Sequence, residues 1–273
     1  MVNLLLFLIR GAFLDVYWIN LGFISAYEYS LSMIRTMKKQ KTTYFIVSLA
    51  LSVFTLSAQG QTNRNILYPK LKSYCDDLES GFKSIPAERK IELEEIASYV
   101  VEMRDSHKPA DLLFVCTSNS RRSHMAQVWS QIGSYYYNID SVYTFSGGTA
   151  QTRVHPNTLS ALRRAGIQIY SNNQGSNPLQ YVQVGESIKP WGMFSKKYSD
   201  STNPQKNFAA MMVCSEADKG CPFVEGADMR IGLPYNDPKE FDNSAAMTEK
   251  YDERCKQIAT EMFYIMFTVR YPH

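Results

Sequence analysis

In the second half of the chain, short apolar runs alternate with helical patterns. Residues 111–115 and 208–213 read as buried strands, and 142–145 as a third. Residues 123–135 and 157–165 read as helices between them. A long final helix over 245–267 carries Met247, Tyr251, Cys255, Ile258, Met262 and Ile265 on one face. Upstream, Pro86 suits the first turn of a helix, and Ile91, Ile96, Val100 and Met103 recur at near-helical spacing until Lys108-Pro109 breaks the pattern. Strands alternating with helices predict an α/β fold, a three-layer sandwich with a central parallel sheet, preceded by an N-terminal helical extension. Residues 171–207 interrupt this order. The stretch is polar, with Trp191, Phe194 and several tyrosines, and reads as a surface excursion, with a hairpin or lid as the alternative.

The first sixty residues have another character. From Met37 a Lys-Lys-Gln-Lys start leads into an apolar run over 44–56 and then Ser57-Ala58-Gln59-Gly60-Gln61, the pattern of a secretory signal peptide. The alternative is an uncleaved membrane anchor, for which the run is short. Residues 1–36 are apolar but broken by Arg10, Asp15, Glu28 and Arg35, and read as an over-extended start before Met33 or Met37. The predicted organisation is a leader over 1–60, a helical extension over 61–109 and a catalytic domain over 110–273. Export is expected where the leader is used, and a cytoplasmic location otherwise.

Composition narrows the function classes only slightly. With 273 residues and 45% hydrophobic content the chain can build a full core. A net charge of +3 without long basic runs gives no support to nucleic-acid binding. The five cysteines and four histidines have no metal-site spacing, so neither a metal nor another cofactor is expected.

Chemistry concentrates in one string. The apolar residues Leu112 to Val115 run into Cys116-Thr117-Ser118-Asn119-Ser120-Arg121-Arg122-Ser123, and a helix follows at once. A loop between strand end and helix start aims backbone N–H groups inward, where the helix N-terminus adds positive potential. Arg122 offers a planar guanidinium that grips two oxygens together. The same field favours the thiolate of a cysteine at position 116, a nucleophile beside a bound oxyanion.

This string resembles the phosphate-binding loop and first helix of the low-molecular-weight protein tyrosine phosphatase superfamily, which includes the thioredoxin-coupled arsenate reductases. The resemblance implies their fold from about Ala110 onward, Cys116 as nucleophile and Arg122 as oxyanion arginine, with Asn119 and Ser123 shaping the loop. Ser118 stands where the family usually has glycine. Arg121 stands where it often has cysteine or an aliphatic residue, and either strengthens anion binding or points to solvent. Asp237, followed by Pro238, resembles the family's general acid; nearby Asp242 reads as a cap for the last helix. Ser146-Gly147-Gly148-Thr149 reads as a turn near the loop, and His124 as facing out of the helix start.

Cys214 and Cys221 resemble the resolving pair of the arsenate reductases. The resemblance implies a relay from Cys116 to Cys214 to Cys221 that ends as a disulfide reduced by a thioredoxin-like partner. Two alternatives stand beside it. One is a phosphatase acting through a Cys116 phosphoenzyme, with Cys214 and Cys221 as a plain disulfide. The other is a non-catalytic oxyanion-binding or redox-sensing module. Cys75 and Cys255 sit in helical patterns and are expected in the core.

Overall fold

The computed structural model describes residues 66–171, 174–221 and 223–272; the leader read over 1–60 lies outside them. Strand β1 (Ala110–Cys116) lies inside a four-stranded sheet with β2 (Val142–Gly148), β6 (Phe208–Met212) and β7 (Ala227–Gly232), ordered β2-β1-β6-β7 and parallel throughout. Leu112 to Val115 and all of β6 are buried, as expected for strands covered on both faces.

Helices α1 (Pro69–Leu78), α2 (Ala87–Asp105), α3 (Arg122–Tyr136), α4 (Pro156–Arg164), the short α5 (Ser215–Gly220) and α6 (Met247–Arg270) complete the layers. Helix α3 is buried along nearly its whole length. Its Trp129 stacks on Tyr74 of α1 at 5.2 Å and meets Phe263 of α6 edge-on at 6.2 Å, so three helices interlock around one indole. Tyr136 and Tyr137 are also buried, with their hydroxyls on Asp76 and Glu79. Cys75 and Cys255 are core residues, as read from the sequence, and Trp129 Nε1 donates to Cys255 Sγ at 3.2 Å. The apolar face read along the last helix is largely the one buried, from Tyr251 through Ile265.

Three expectations are corrected. Ile91 is 67% exposed; Ile96, Val100 and Met103 are buried as read, and Leu93 and Ala97 complete the packed stripe of α2. The true repeat of three, four and seven from Leu93 outcompetes the one begun at Ile91, because charged Glu92, Glu94 and Glu95 obscure the phase. Ser146, Gly147 and Gly148 are not a turn; they extend β2, paired with Phe114, Val115 and Cys116. Asp242 does not cap the last helix, whose N-cap position is Ala246 and carries no side-chain cap.

The interruption over 171–207 contains β4 (Gln180–Gln183) and β5 (Trp191–Met193), which join β3 (Gln168–Tyr170) as a small antiparallel sheet. It is a hairpin, as one reading had it. It is more than a surface excursion, because the chain after β5 runs against the end of β2: Gly148 N–H donates to the Lys196 carbonyl at 2.9 Å and Tyr198 N–H to that of Gly148 at 2.9 Å.

The phase of α2 is directly testable. Truncating fully buried Leu93 to alanine should cost about 2–5 kcal/mol. Ile91→Ala should stay within about 0.5 kcal/mol of the wild type. Urea unfolding midpoints of the two variants decide it, and equal losses would return Ile91 to the core.

Candidate active site

The segment joining β1 to α3 is built by turning its carbonyls outward. Thr149 N–H donates to the Cys116 carbonyl (3.1 Å) and Ala150 N–H to that of Thr117 (2.8 Å). The Thr152 hydroxyl donates to the Ser118 carbonyl (2.7 Å), and His155 N–H to that of Ser120 (3.0 Å). His124 Nε2 reaches the Asn119 carbonyl at 2.9 Å. Among the described residues no protein acceptor takes the amide hydrogens of residues 117–121. Together with the uncapped start of α3 they leave donors available for an anion.

Two residues make the close turn possible. Asn119 has φ 41°, the left-handed region that asparagine tolerates better than most residues. Gly148 leaves room for it: a Cβ there would stand 2.5 Å from the Ala150 carbonyl oxygen, 2.7 Å from Asn119 N and 2.9 Å from the Thr117 carbonyl oxygen.

A hydrogen-bond chain then sets the sulfur. Lys196 N–H donates to Asn119 Oδ1 (2.8 Å), and Asn119 Nδ2 donates to Ser123 Oγ (2.9 Å). That leaves the serine hydroxyl hydrogen for Cys116 Sγ, 3.1 Å away, whenever the sulfur is a thiolate. Cys116 is only 3% exposed, at the floor of an open pocket of about 420 Å³. The pocket is lined by loop residues together with Arg121, Arg122, Glu216, Asp237, Lys239 and Glu240, none of them aromatic among the described residues.

Arg122 spans the pocket. Nη1 donates to the Tyr235 carbonyl and Nη2 to Asp237 Oδ2, both at 2.8 Å, while buried Nε has no protein acceptor. Two of its five N–H groups are therefore committed to protein acceptors, which leaves donor capacity on the guanidinium for an oxyanion. Asp237 also accepts from Lys239 N–H at 3.1 Å, at the start of a 3-10 turn over Pro238–Phe241 that fixes the carboxylate at the pocket rim.

Arg121 neither grips the pocket alone nor points to solvent. Its Nε donates to the Tyr251 hydroxyl (2.7 Å) and its Nη2 to Asp242 Oδ2 (2.9 Å), and Tyr251 donates in turn to Asp242 Oδ1 (2.7 Å). Burial alone would raise the Asp242 pKa, but the Tyr251 hydroxyl and the Arg121 charge hold it below the usual carboxylate value. Burial, with Arg121 close by, lowers the pKa of His155, which stacks on Tyr251. Asp242 thus ties the loop to α4 and α6 instead of capping a helix.

His124 is fully buried, contrary to the outward orientation read from the sequence. A carbonyl can only accept, so Nε2 carries the hydrogen toward Asn119, and Nδ1 accepts from Ser146 Oγ at 3.1 Å. Burial and the nearby Lys196 charge push its pKa down to about 3. Lys196 is itself buried, which lowers its pKa to about 8. Neither residue had a sequence signal; both lie beneath the loop because β2 and the hairpin pack there.

Cys214 ends the strand-like segment after β6 and is fully buried. Its Sγ lies 3.4 Å from Thr117 Oγ1 and accepts from Ala217 N–H at 3.3 Å, capping α5. Cys221 stands at the other end of α5 and is partly exposed. None of the five cysteines is bonded to another in this structure. Arg230 of β7 pins the far end of α5, donating to the Cys221 carbonyl (2.9 Å), the Asp218 carbonyl (2.7 Å) and Asp218 Oδ1 (2.6 Å). Among the described residues no cluster of His, Cys, Asp or Glu has the arrangement of a metal site, and none of their helices is long and apolar enough to cross a membrane.

Sequence similarity bears out the resemblance to the arsenate reductases. The chain is 28% identical over 150 residues to an arsenate reductase of Brevibacillus brevis, covering 54% of this chain and 92% of the relative. It is 26% identical over 129 residues to arsenate reductase 2 of Staphylococcus epidermidis, covering 46% and 77%. No family model matches the chain. Among solved structures, a low-molecular-weight phosphotyrosine phosphatase from Vibrio cholerae is 16% identical at a TM-score of 0.38, covering 58% of this chain and 95% of that one. An arsenate reductase in a phosphate-binding state is 16% identical at a TM-score of 0.33, covering 56% and 98%.

The neutral, buried His124 predicts how stability depends on pH. The unfolded chain binds a proton on this residue below about 6.5, whereas the folded chain does so only near 3. Stability should therefore fall as pH drops through this window, by up to about 1.4 kcal/mol per unit from this group. His124→Gln should flatten the slope between pH 6.5 and about 4.5, above most carboxylate titration. Denaturant melts of both proteins across that range test it, and an unchanged slope would mean the histidine is charged when folded.

Proposed function

We propose that the chain is an arsenate reductase-like enzyme working through Cys116, Cys214 and Cys221. The observation that carries the reading is a second thiol at the oxyanion loop: Cys214 Sγ lies 3.4 Å from the hydroxyl of Thr117, the residue next to Cys116. The pocket supports the same choice of substrate. Among the described residues its walls are polar and charged, with arginines, a lysine and carboxylates and no aromatic ring to stack a tyrosine, which suits a small inorganic oxyanion.

Arsenate is held by the free loop amides and Arg122. The Cys116 thiolate attacks arsenic, and a hydroxide leaves with a proton from Asp237. Cys214 then attacks Cys116 Sγ; the arsenic–sulfur electron pair departs with arsenite. Cys221 attacks Cys214 Sγ and frees Cys116 as a thiolate. Two thiols have become one disulfide, matching the two electrons taken by arsenic, and a thioredoxin-like dithiol restores them. An exported chain would need such a partner in its own compartment.

The last exchange requires movement. Seven helical steps separate Cys214 from Cys221, roughly 10 Å along the axis, whereas disulfide-bonded residues have Cα atoms about 5.5–6 Å apart. Helix α5 must unwind, releasing the bonds of Arg230 to Asp218 and Cys221. A second reading keeps a place because Cys116, Arg122 and Asp237 alone suffice to hydrolyse a phosphomonoester through a cysteinyl phosphate.

Fully reduced protein mixed with arsenate and no external reductant should yield about one arsenite and lose about two thiols per chain, with Cys214 joined to Cys221. Cys214→Ser should abolish repeated turnover of arsenate while sparing any phosphatase activity, and Cys116→Ser should abolish both. No arsenite and no thiol loss from a folded, reduced sample would remove the reductase reading. Phosphate binding without either activity would favour the binding module.

A further inference from the structure

The N-terminal extension sends a single arginine under the active site. Arg89, in the first turn of α2, donates from Nε to Glu261 Oε2 of α6 (2.7 Å) and from Nη1 to Glu92 Oε2 (2.8 Å), and its Nη2 approaches the Pro234 carbonyl (3.4 Å). Its guanidinium lies over the Tyr235 ring, 4.8 Å from the centroid. Glu261 is 3% exposed and also accepts from the Tyr235 hydroxyl (2.8 Å) and from Gln257 Nε2 (3.1 Å).

Tyr235 is consequently held at every polar atom. Its hydroxyl is on Glu261, its ring is under Arg89, and its N–H donates to the carbonyl of Val213, the neighbour of Cys214, at 3.2 Å. The remaining atom, its carbonyl, accepts from Arg122 Nη1 at 2.8 Å. Arg122 therefore takes its orientation from a tyrosine whose position depends on α2. Asp237, Arg122's other partner, follows two residues later on the same segment.

We propose that Arg89 is a positioning residue for oxyanion binding, acting through Glu261 and Tyr235 to aim the Arg122 guanidinium, so that the helical extension is a working part of the site. The inference rests on the oxyanion-site reading above but not on which reaction follows. A lysine at position 89 could keep one charged bond to Glu261 but not the planar fork that meets Glu261, Glu92 and Pro234 while covering a ring. Without that cover, Tyr235 and its carbonyl gain freedom, and Arg122 loses its fixed aim. A misplacement of about 1 Å at a reacting group can cost about a hundredfold; a smaller drift here should cost about tenfold in anion affinity.

The test reads anion affinity and thiol reactivity in one assay. Full-length, reduced protein is treated with the neutral alkylating agent iodoacetamide, and labelling of Cys116 is followed at the peptide level while inorganic phosphate is titrated. In the wild type phosphate should protect Cys116. In Arg89→Lys the half-protecting phosphate concentration should rise about tenfold, with the alkylation rate in the absence of phosphate unchanged. A general loosening of the fold would raise that phosphate-free rate as well, and so would overturn the proposal. An unshifted protection curve in a folded variant overturns it too, while leaving the oxyanion site standing. No protection in the wild type would remove both the site reading and this inference. Should Arg89→Lys fail to fold, the double variant Arg89→Met/Glu261→Gln, which leaves no buried charge unpaired, decides by the same curve.

Discussion

The site depends on one backbone constraint: every carbonyl from Cys116 to Ser120 is turned away from the pocket and met there by a donor. An anion cradle needs several N–H groups converging on one point, and converging amides require diverging carbonyls. Each outward bond contributes about 1 kcal/mol net, but a buried carbonyl left without a donor would cost about 1–3 kcal/mol. The surrounding architecture supplies those donors. Residues 149–155 serve Cys116, Thr117, Ser118 and Ser120, and His124 serves Asn119. Gly148 permits the approach, and the hairpin segment at 195–198 grips both the loop and the end of β2.

Charge is arranged so that the cradle, not a net positive field, does the recognition. Arg122 is paired with Asp237 and Arg121 with Asp242, so two arginines beside the pocket bring two carboxylates with them. Among the described residues the loop amides and Arg122 Nε have no protein acceptor. An incoming oxyanion therefore meets fixed dipoles and one directed guanidinium edge, and selection rests on geometry more than on attraction at a distance. Arg121 sits at the loop's hinge into α3 and anchors it to Asp242 and Tyr251, a structural use of the charge that the sequence placed either in the pocket or in solvent.

What was legible in the sequence was whatever depends on neighbours along the chain. The apolar run into Cys116, the cysteine-to-arginine spacing and the long apolar face of α6 are local patterns with one physical solution each. Illegible were features created by distant segments meeting. His124 follows Ser123 at a helix start, where a polar residue ordinarily faces water; only the packing of Ser146 and Lys196 beneath the loop buries it. Gly147 and Gly148 look like a turn, yet a side chain at Gly147 would meet the Tyr198 backbone 2.4 Å away, so the glycines mark a close crossing within a strand. Asp242 had the right chemistry for a cap, and Arg121 and Tyr251 claimed it first.

Helix α5 shows how the relay reading and the fold meet in one element. A helix of six residues has little intrinsic stability in water. It persists here because Cys214 Sγ caps its start and Arg230 holds its end. In the proposed relay the cap would also be the nucleophile of the second exchange. When that sulfur bonds to Cys116 it can no longer stay on Ala217 N–H, and a lost side-chain cap costs about 1 kcal/mol. The step that releases arsenite would then weaken the helix whose unwinding the next step requires. Arg230 alone would then hold the element until Cys221 arrives, so under the proposed relay the order of the three cysteines would follow from which end of α5 loosens first.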